Sequence, residues 1–348
     1  MAAGLRVLTL TTAFFVTLLA SIATAQPSNP IEVSHLSGSV FLAPGYRTWH
    51  HEDGDSTLAD AIAALADEQF GPPPVNIDRG STGLLPGSLW AHFTLANAAE
   101  TAITVHLEYV DHQLLYLRAY QRSGAADFVP LADLAMEQPF DQRLVAHPRL
   151  VIPATVGPGE SMELLVQYES NVDGGFVFPN LRVWAPEVLR QQQSLETAGM
   201  AVVLGGILMM AVVAVVIGVA TGDRIFYGYS IYALSKITVW ATVLGFTHQF
   251  LLRDHFDWHY MSIAGAFSII AGTWFARAFL QSRKHLPRFD YALIVMLVNA
   301  AVLVFAAVAG LTTLEVLSIT LALLMYPLIV VAALLRWRQG SQEALVFA

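Results

Sequence analysis

Residues 198–220, AGMAVVLGGILMMAVVAVVIGVA, run for 23 positions without a charge. A helix of that length crosses a hydrocarbon layer of about 30 Å, so this stretch divides the chain in two. The C-terminal part repeats the pattern. Residues 225–246 carry only Lys236, residues 260–280 carry only Arg277, and residues 291–311 and 316–335 carry no charge. Five spans are therefore expected, the fifth bent at Pro327. Residues 343–348 read as the opening of a sixth, starting near 344, and the chain is expected to be a fragment of a longer protein. Ala264, Ser268, Gly272 and Ala276 recur every four residues and predict a small-residue ridge on which another helix packs closely.

The connections orient these spans. If residues before 198 lie outside, the inner connections are 221–224, 281–290 and 336–342, which hold Arg224, Arg283, Lys284, Arg288, Arg336 and Arg338. The outer connections, 247–259 and 312–315, hold Arg253 alone, beside Asp254, Asp257 and Glu315. An excess of Lys and Arg inside is the normal topological signature.

The N-terminus points the same way. Arg6 precedes an apolar stretch over 7–20, and Ala23-Thr24-Ala25 fits a small-residue cleavage site. Residues 1–25 are read as a signal peptide with the mature chain starting at Gln26. About 14 apolar residues are short for an uncleaved first span, which is the alternative. Residues 26–190 then form a periplasmic domain, and residues 191–348 the transmembrane region of a multi-pass protein in a bacterial inner membrane.

Residues 26–190 hold 20 Asp and Glu against 8 Arg and no Lys, a net charge of −12. Such a surface argues against nucleic acid as a partner. The chain has no cysteine, so the domain needs its own core rather than disulfides, and thiolate zinc sites are excluded. One helix is expected over 56–70, with Thr57 and Asp60 at capping-box spacing. After Pro72-Pro73-Pro74 the period changes to two. Strands are expected over 89–95, running into a turn at Asn97, then over 103–109, 114–120, 149–152 and 162–168. Pro158-Gly159 makes the turn before the last, and 174–184 closes the sheet. Short alternating strands with Gly and Pro punctuation predict an all-β antiparallel sandwich with one short helix, followed by an α-helical transmembrane bundle.

Leu89-Trp90-Ala91-His92-Phe93-Thr94-Leu95-Ala96-Asn97 resembles the Trp-aromatic-Asn strand of the extracellular sensor domain in bacterial 7TMR-DISM receptors, seven-transmembrane receptors with diverse intracellular signalling modules. Residues 106–120 and 153–170 continue the resemblance. Tyr227, Tyr229 and Tyr232, with the Gly-Phe-x-x-Gln-Phe-Leu ending from Gly245 to Leu251, resemble the start of that family's membrane core. The resemblance covers roughly residues 35–348. It implies a jelly-roll sensor domain similar to carbohydrate-binding modules, seven spans, and a cytoplasmic output such as a diguanylate cyclase, histidine kinase or phosphatase. The chain departs from it in showing five spans, the start of a sixth and no output module.

Candidate sites are few. Trp49, Trp90 and Trp184 are the aromatic residues available for sugar stacking, although tryptophans in strands more often build core; Trp49 and Trp184 are kept as ligand candidates. His50 and His51 point to opposite faces of an extended strand and make a poor metal pair. His255 and His259 share a face if their segment is helical, at a spacing that metals use; the plain reading is a polar outer loop with Trp258 and Tyr260 at the interface. Protonation of these histidines could tune signalling. Lys236 lies mid-span, where a charge is a functional candidate by default, with a tyrosine or a backbone carbonyl as its expected partner; Arg277 is close enough to the inner surface to snorkel. No nucleophile elbow, P-loop, dinucleotide fingerprint or zinc-protease helix is present, and neither enzymatic activity, a metal nor a cofactor is expected of this chain.

These readings predict the sensory and transmembrane part of a signalling receptor. Its expected partners are the lipid bilayer, a small-molecule or carbohydrate ligand, and a second copy of the chain in a homodimer, with no nucleic acid. A transporter or channel with a periplasmic accessory domain is the alternative. Lys236 is nearly alone at mid-membrane, whereas transporters place several polar groups there. A membrane-tethered carbohydrate-binding protein would not need five spans.

Overall fold

A computed structural model of the chain describes residues 30–41, 46–51, 56–73, 84–85, 87–110, 114–169, 175–177 and 181–342. The expected signal peptide and the expected start of a sixth span lie outside these residues.

Period-two alternation builds two packed sheets. Strands β1 (Ile31–Glu32), β3 (Arg47–His51), β5 (Ser88–Ala96), β7 (Tyr116–Ser123), β8 (Val129–Ala135) and β10 (Ser161–Glu169) form a six-stranded sheet, ordered β1-β5-β10-β7-β8 with β3 also on β5. Strands β2 (Ser39–Phe41), β6 (Ile103–Tyr109), β9 (Val151–Val156) and β12 (Leu181–Trp184) form a four-stranded sheet, ordered β2-β12-β6-β9. β4 (Leu84–Leu85) pairs with β11 (Gly175–Phe176). Among the described residues every pairing is antiparallel except β1 with β5.

Alternate residues of the two sheets meet between them. Leu89, Ala91, Phe93 and Leu95 from β5 and Leu164, Val166 and Tyr168 from β10 face Val105, Leu107 and Tyr109 from β6 and Ile152, Ala154 and Val156 from β9. All are buried, and each large side chain there contributes roughly 1.5–3 kcal/mol. Two buried hydroxyls in this core, Tyr46 and Tyr168, satisfy each other at 2.7 Å. The expected turn at Asn97 is held by its amide, which donates to the carbonyls of Thr101, Val156 and Gly157 at 2.8, 3.1 and 3.0 Å.

The large sheet is covered on its outer face as well. Helix α1 (Leu58–Ala66) packs Ala61 and Ala64 against Trp90, Leu165, Phe70 and Phe128. Its capping box joins the Thr57 and Asp60 side chains to each other's backbone N–H. The helix is shorter than its sequence pattern, ending at Ala66 before Glu68 turns into the left-handed region at φ 56°.

β12 passes through one residue, Ala185, into α2 (Pro186–Thr221), a helix of 36 residues and about 54 Å long. It starts a dozen residues before the apolar run and carries that run away from the sandwich. Then come α3 (Arg224–Val243), a π-helical turn (Thr247–Leu251), α4 (His259–Leu280), the short α5 (Ser282–His285), α6 (Pro287–Ala309), α7 (Thr312–Ala322) and α8 (Met325–Arg338). Among the described residues four helices are long and apolar enough to cross a membrane: Pro186–Thr221, His259–Leu280, Pro287–Ala309 and the combined Thr312–Arg338. The second expected span is the 20-residue α3, which is not among those four. Its tyrosines, serines and Lys236 dilute its apolar character.

The small-residue ridge of α4 is buried, and a Cβ on Gly272 would sit 2.9 Å from the Tyr232 ring of α3. The expected bend at Pro327 appears as a break between α7 and α8 at Leu323 and Leu324. Pro327 has no N–H to offer the carbonyl of Leu323, four residues earlier. It is tolerated in the first turn of α8, where no intrahelical donor is needed.

Arg277 does not snorkel freely. It makes a two-pronged ion pair with Asp290 at 2.8 and 2.9 Å, and Ser282 donates to the same carboxylate at 2.6 Å. That contact ties the inner ends of α4, α5 and α6 together.

Candidate functional site

Besides the direct passage of β12 into α2, the sandwich meets the bundle through residues 136–149, between β8 and β9. Two clusters of polar and aromatic side chains radiate from this segment.

The first forms on the outer face of the small sheet. On β6 the residues between the core positions, His106 and Glu108, point away from the core. They are not left to water, because the first turns of α2 cover them, with Leu189 packed on Val151 and Trp184. Glu108 is fully buried. Its carboxylate accepts from Trp184 Nε1 at 2.7 Å and pairs with Arg149. Arg149 reaches on to Glu196 of α2 at 2.7 Å, and Gln192 donates to Glu196 at 3.0 Å. Gln193 donates to the carbonyl of Ala146 at 3.2 Å. A buried carboxylate is tolerable only when paired and hydrogen-bonded, and here its partners come from β12 and from segment 136–149.

His147 lies beside this pair, with Nε2 4.0 Å from Glu108 and Nδ1 accepting from the Arg149 N–H at 3.1 Å. Burial, then the Arg149 charge, push its pKa down to about 3. It is therefore a neutral acceptor, and its proximity to Glu108 is not an ion pair.

The second cluster docks the same segment on the outer end of α3. Phe140, in a 3-10 turn (Phe140–Gln142), donates its N–H to Arg253 O at 2.8 Å, and Asp141 pairs with the Arg253 guanidinium. Arg143 donates to Nδ1 of His248 at 3.1 Å and to the carbonyls of His147, Pro148 and Met136. Burial pushes the Arg143 pKa down to about 10; burial and then the Arg143 charge push His248 down to about 4. The His248 ring stacks on Phe256 at 4.7 Å and meets the edge of Phe140 at 5.7 Å. Gly245 allows this approach. Its φ is 78°, and a Cβ there would sit 3.0 Å from the Pro148 carbonyl oxygen.

Three bodies meet at this joint: the sandwich, α2, and the π-helical turn that ends α3. Segment 136–149 touches all three.

The residues singled out in the sequence fall elsewhere or in other roles. Trp49 and Trp90 are register partners on neighbouring strands of the large sheet. Trp90 is buried, donating to Ser56 Oγ at 2.6 Å and stacking on Tyr120. Trp49 is half-buried against Phe70 and His51. Trp184 lies on the other sheet with its polar edge held by Glu108, so the three form no single platform. His255 is exposed and precedes α4, which begins at His259; the two share no helical face. His259 instead pairs with the buried Glu315 of α7 at 2.8 Å. Among the described residues no group of three or more His, Cys, Asp or Glu could hold a metal ion. Lys236 donates to Tyr326 Oη at 2.6 Å and lies over the Tyr232 ring at 5.1 Å, on the face of α3 toward α8.

No pattern in the sequence singles out Glu108, Arg143, His147, Arg149, Glu196 or His248. The one available signal is the long polar lead-in of α2 before its apolar run.

A family model described as 7TMR-DISM extracellular 2 matches residues 44–184, and one described as 7TM diverse intracellular signalling matches residues 196–348. The interval between the two matches, 185–195, is Ala185 and the first ten residues of α2. No curated protein matches the chain.

Proposed function

The chain belongs to the 7TMR-DISM family of membrane sensory receptors with an extracellular domain, and on that premise we propose that segment 136–149 carries the signal from sandwich to bundle. A ligand at the sandwich, a small molecule or a carbohydrate, biases two packings of the small sheet against α2. It can do so only through its differential affinity for them. The bias reaches α2 through Glu108, Arg149 and Glu196, and the end of α3 through Arg143 and His248. Trp49, half-buried beside His51 on the large sheet, is the proposed ligand contact. The bundle sits in a bacterial inner membrane and passes the change to a cytoplasmic output module such as a diguanylate cyclase or histidine kinase. α2 leaves Val202, Val212, Val216 and Val219 exposed, a face suited to lipid or to a second copy in a homodimer.

The observation that supports this reading most is the shared hub: one segment holds a half-buried charge pair toward α2 and a half-buried cation–histidine contact toward α3. The test is a thermal-shift screen of the full chain against sugars, followed by hydrogen exchange with any hit. Binding is expected to change protection at residues 247–251 in the wild type. In Arg143→Gln the same ligand is expected to bind and leave that protection unchanged. A ligand that binds the sandwich without altering 247–251 in the wild type contradicts the route.

A further inference from the structure

At the end of the bundle away from the sandwich, cations converge from segments distant in sequence. Gln281, at φ 46°, ends α4 and turns the chain into α5, which carries Arg283, Lys284 and His285 in a single turn. The last turn of α8 brings Arg336 and Arg338 to the same corner. Leu280, Leu286, Ala332 and Ala333 pack beneath, with Phe279, Phe289 and Leu335 around them, so these helix ends form one apolar plug. Arg336 is pinned across the plug by its donation to the Leu280 carbonyl at 3.1 Å. The Arg336 and Lys284 charges, after burial, lower the proton affinity of half-buried His285, as expected if the three lie close together.

The corner's own acid is already committed. Asp290 is taken by Arg277 and Ser282. Among the described residues Arg283, Lys284, Arg288 and Arg338 have no carboxylate within ion-pair distance, and all four are exposed. Trp337, 45% exposed, stands beside them, a residue that favours the headgroup level of a bilayer.

We propose that this corner is a binding surface for the headgroup of an anionic phospholipid in the leaflet opposite the sandwich. A cluster of exposed cations with no ion-pair partner among the described residues, at headgroup depth beside an interfacial indole, complements a phosphodiester, and each such residue strengthens retention roughly five-fold. The surface depends on the orientation of the bundle and not on the signalling route through segment 136–149.

The experiment is native mass spectrometry of the full chain released from nanodiscs of mixed phosphatidylcholine and phosphatidylglycerol. The wild type is expected to retain phosphatidylglycerol selectively. Arg283→Gln with Lys284→Gln is expected to lose most of that selectivity, roughly five-fold per charge removed. Arg283→Lys with Lys284→Arg is expected to keep it, as is Arg190→Gln on the other side of the membrane. Circular dichroism confirms that each variant is folded. Equal retention of both lipids by the wild type overturns the proposal, as does selectivity that survives the double glutamine variant. Displacement of the lipid by inorganic phosphate also overturns it, by making the site one for a free anion.

Discussion

Trp184 donates its indole N–H to the carboxylate of Glu108 at 2.7 Å, and both side chains are buried on the face of the small sheet that α2 covers. Trp184 is also the last residue of β12, two positions before α2 begins. The hydrogen bond therefore anchors the end of the strand from which the membrane helix departs.

Trp184→Phe keeps an aromatic ring but removes the donor and part of the buried indole. Leaving a buried carboxylate short of one partner costs about 1–3 kcal/mol. Urea unfolding of the variant is expected to show that loss with an unchanged slope; an unchanged midpoint would mean that the bond contributes nothing.

The neutral histidines make the joint sensitive to acid. His147 and His248 are ordinary, near 6.5, in the unfolded chain and lowered to about 3 and about 4 in the fold. Below about pH 6.5 the unfolded chain takes up protons that the folded chain refuses. Their contribution is thus complete above that pH and falls as pH drops toward 4 and then 3, by up to about 1.4 kcal/mol per unit for each group. His147→Gln is expected to flatten the acid limb of stability against pH. Superimposable limbs for variant and wild type would show that His147 is protonated normally.

Gly245 is needed for its backbone and its space. Gly245→Ala puts a methyl 3.0 Å from the Pro148 carbonyl oxygen at φ 78°, and the left-handed conformation alone costs roughly 1–2 kcal/mol. The expected result is faster hydrogen exchange over 247–251 with the sandwich core unchanged. Wild-type protection in this variant would place the joint elsewhere.

In the bundle, Arg277→Met strands the Asp290 carboxylate, whose side chain is 8% exposed. Stranding one partner of a buried pair costs as much as ~3 kcal/mol. Adding Asp290→Leu removes the orphaned charge and is expected to restore most of the thermal stability. Equal damage from the single and the double change would show that the pair carries a specific structural role.

The parts of the fold written locally are legible in the sequence. Thr57 and Asp60 announce α1, and the alternation of 89–95 and 103–109 announces β5 and β6. β8 escapes because Pro130 interrupts its pattern. Proline is tolerated there since β8 is an edge strand, next to a bulge between Ala119 and Tyr120 of β7. Arg277 misleads for a different reason: its partner is 13 residues away around a turn that the apolar pattern does not encode. The joint is illegible on the same ground. His106 and Glu108 alternate with core residues, and polar residues at alternate positions normally mark a face in water. Only the return of α2, some eighty residues later, buries them. What a strand's outer face meets is set by topology, and alternation says only that it has two faces.

The proposed route of signal transfer requires that segment 136–149 be seated on α2, and the absence of native cysteines allows a direct measurement. Ala146→Cys with Gln193→Cys, placed where the Gln193 amide reaches the Ala146 carbonyl at 3.2 Å, is treated with a short thiol crosslinker in membranes. Thr104→Cys with Thr155→Cys, cross-strand neighbours in the small sheet, serves as the reference pair. Both pairs are expected to crosslink within one chain at similar rates. Efficient crosslinking of the reference pair with none between residues 146 and 193 would contradict the seating, and with it the route from sandwich to membrane.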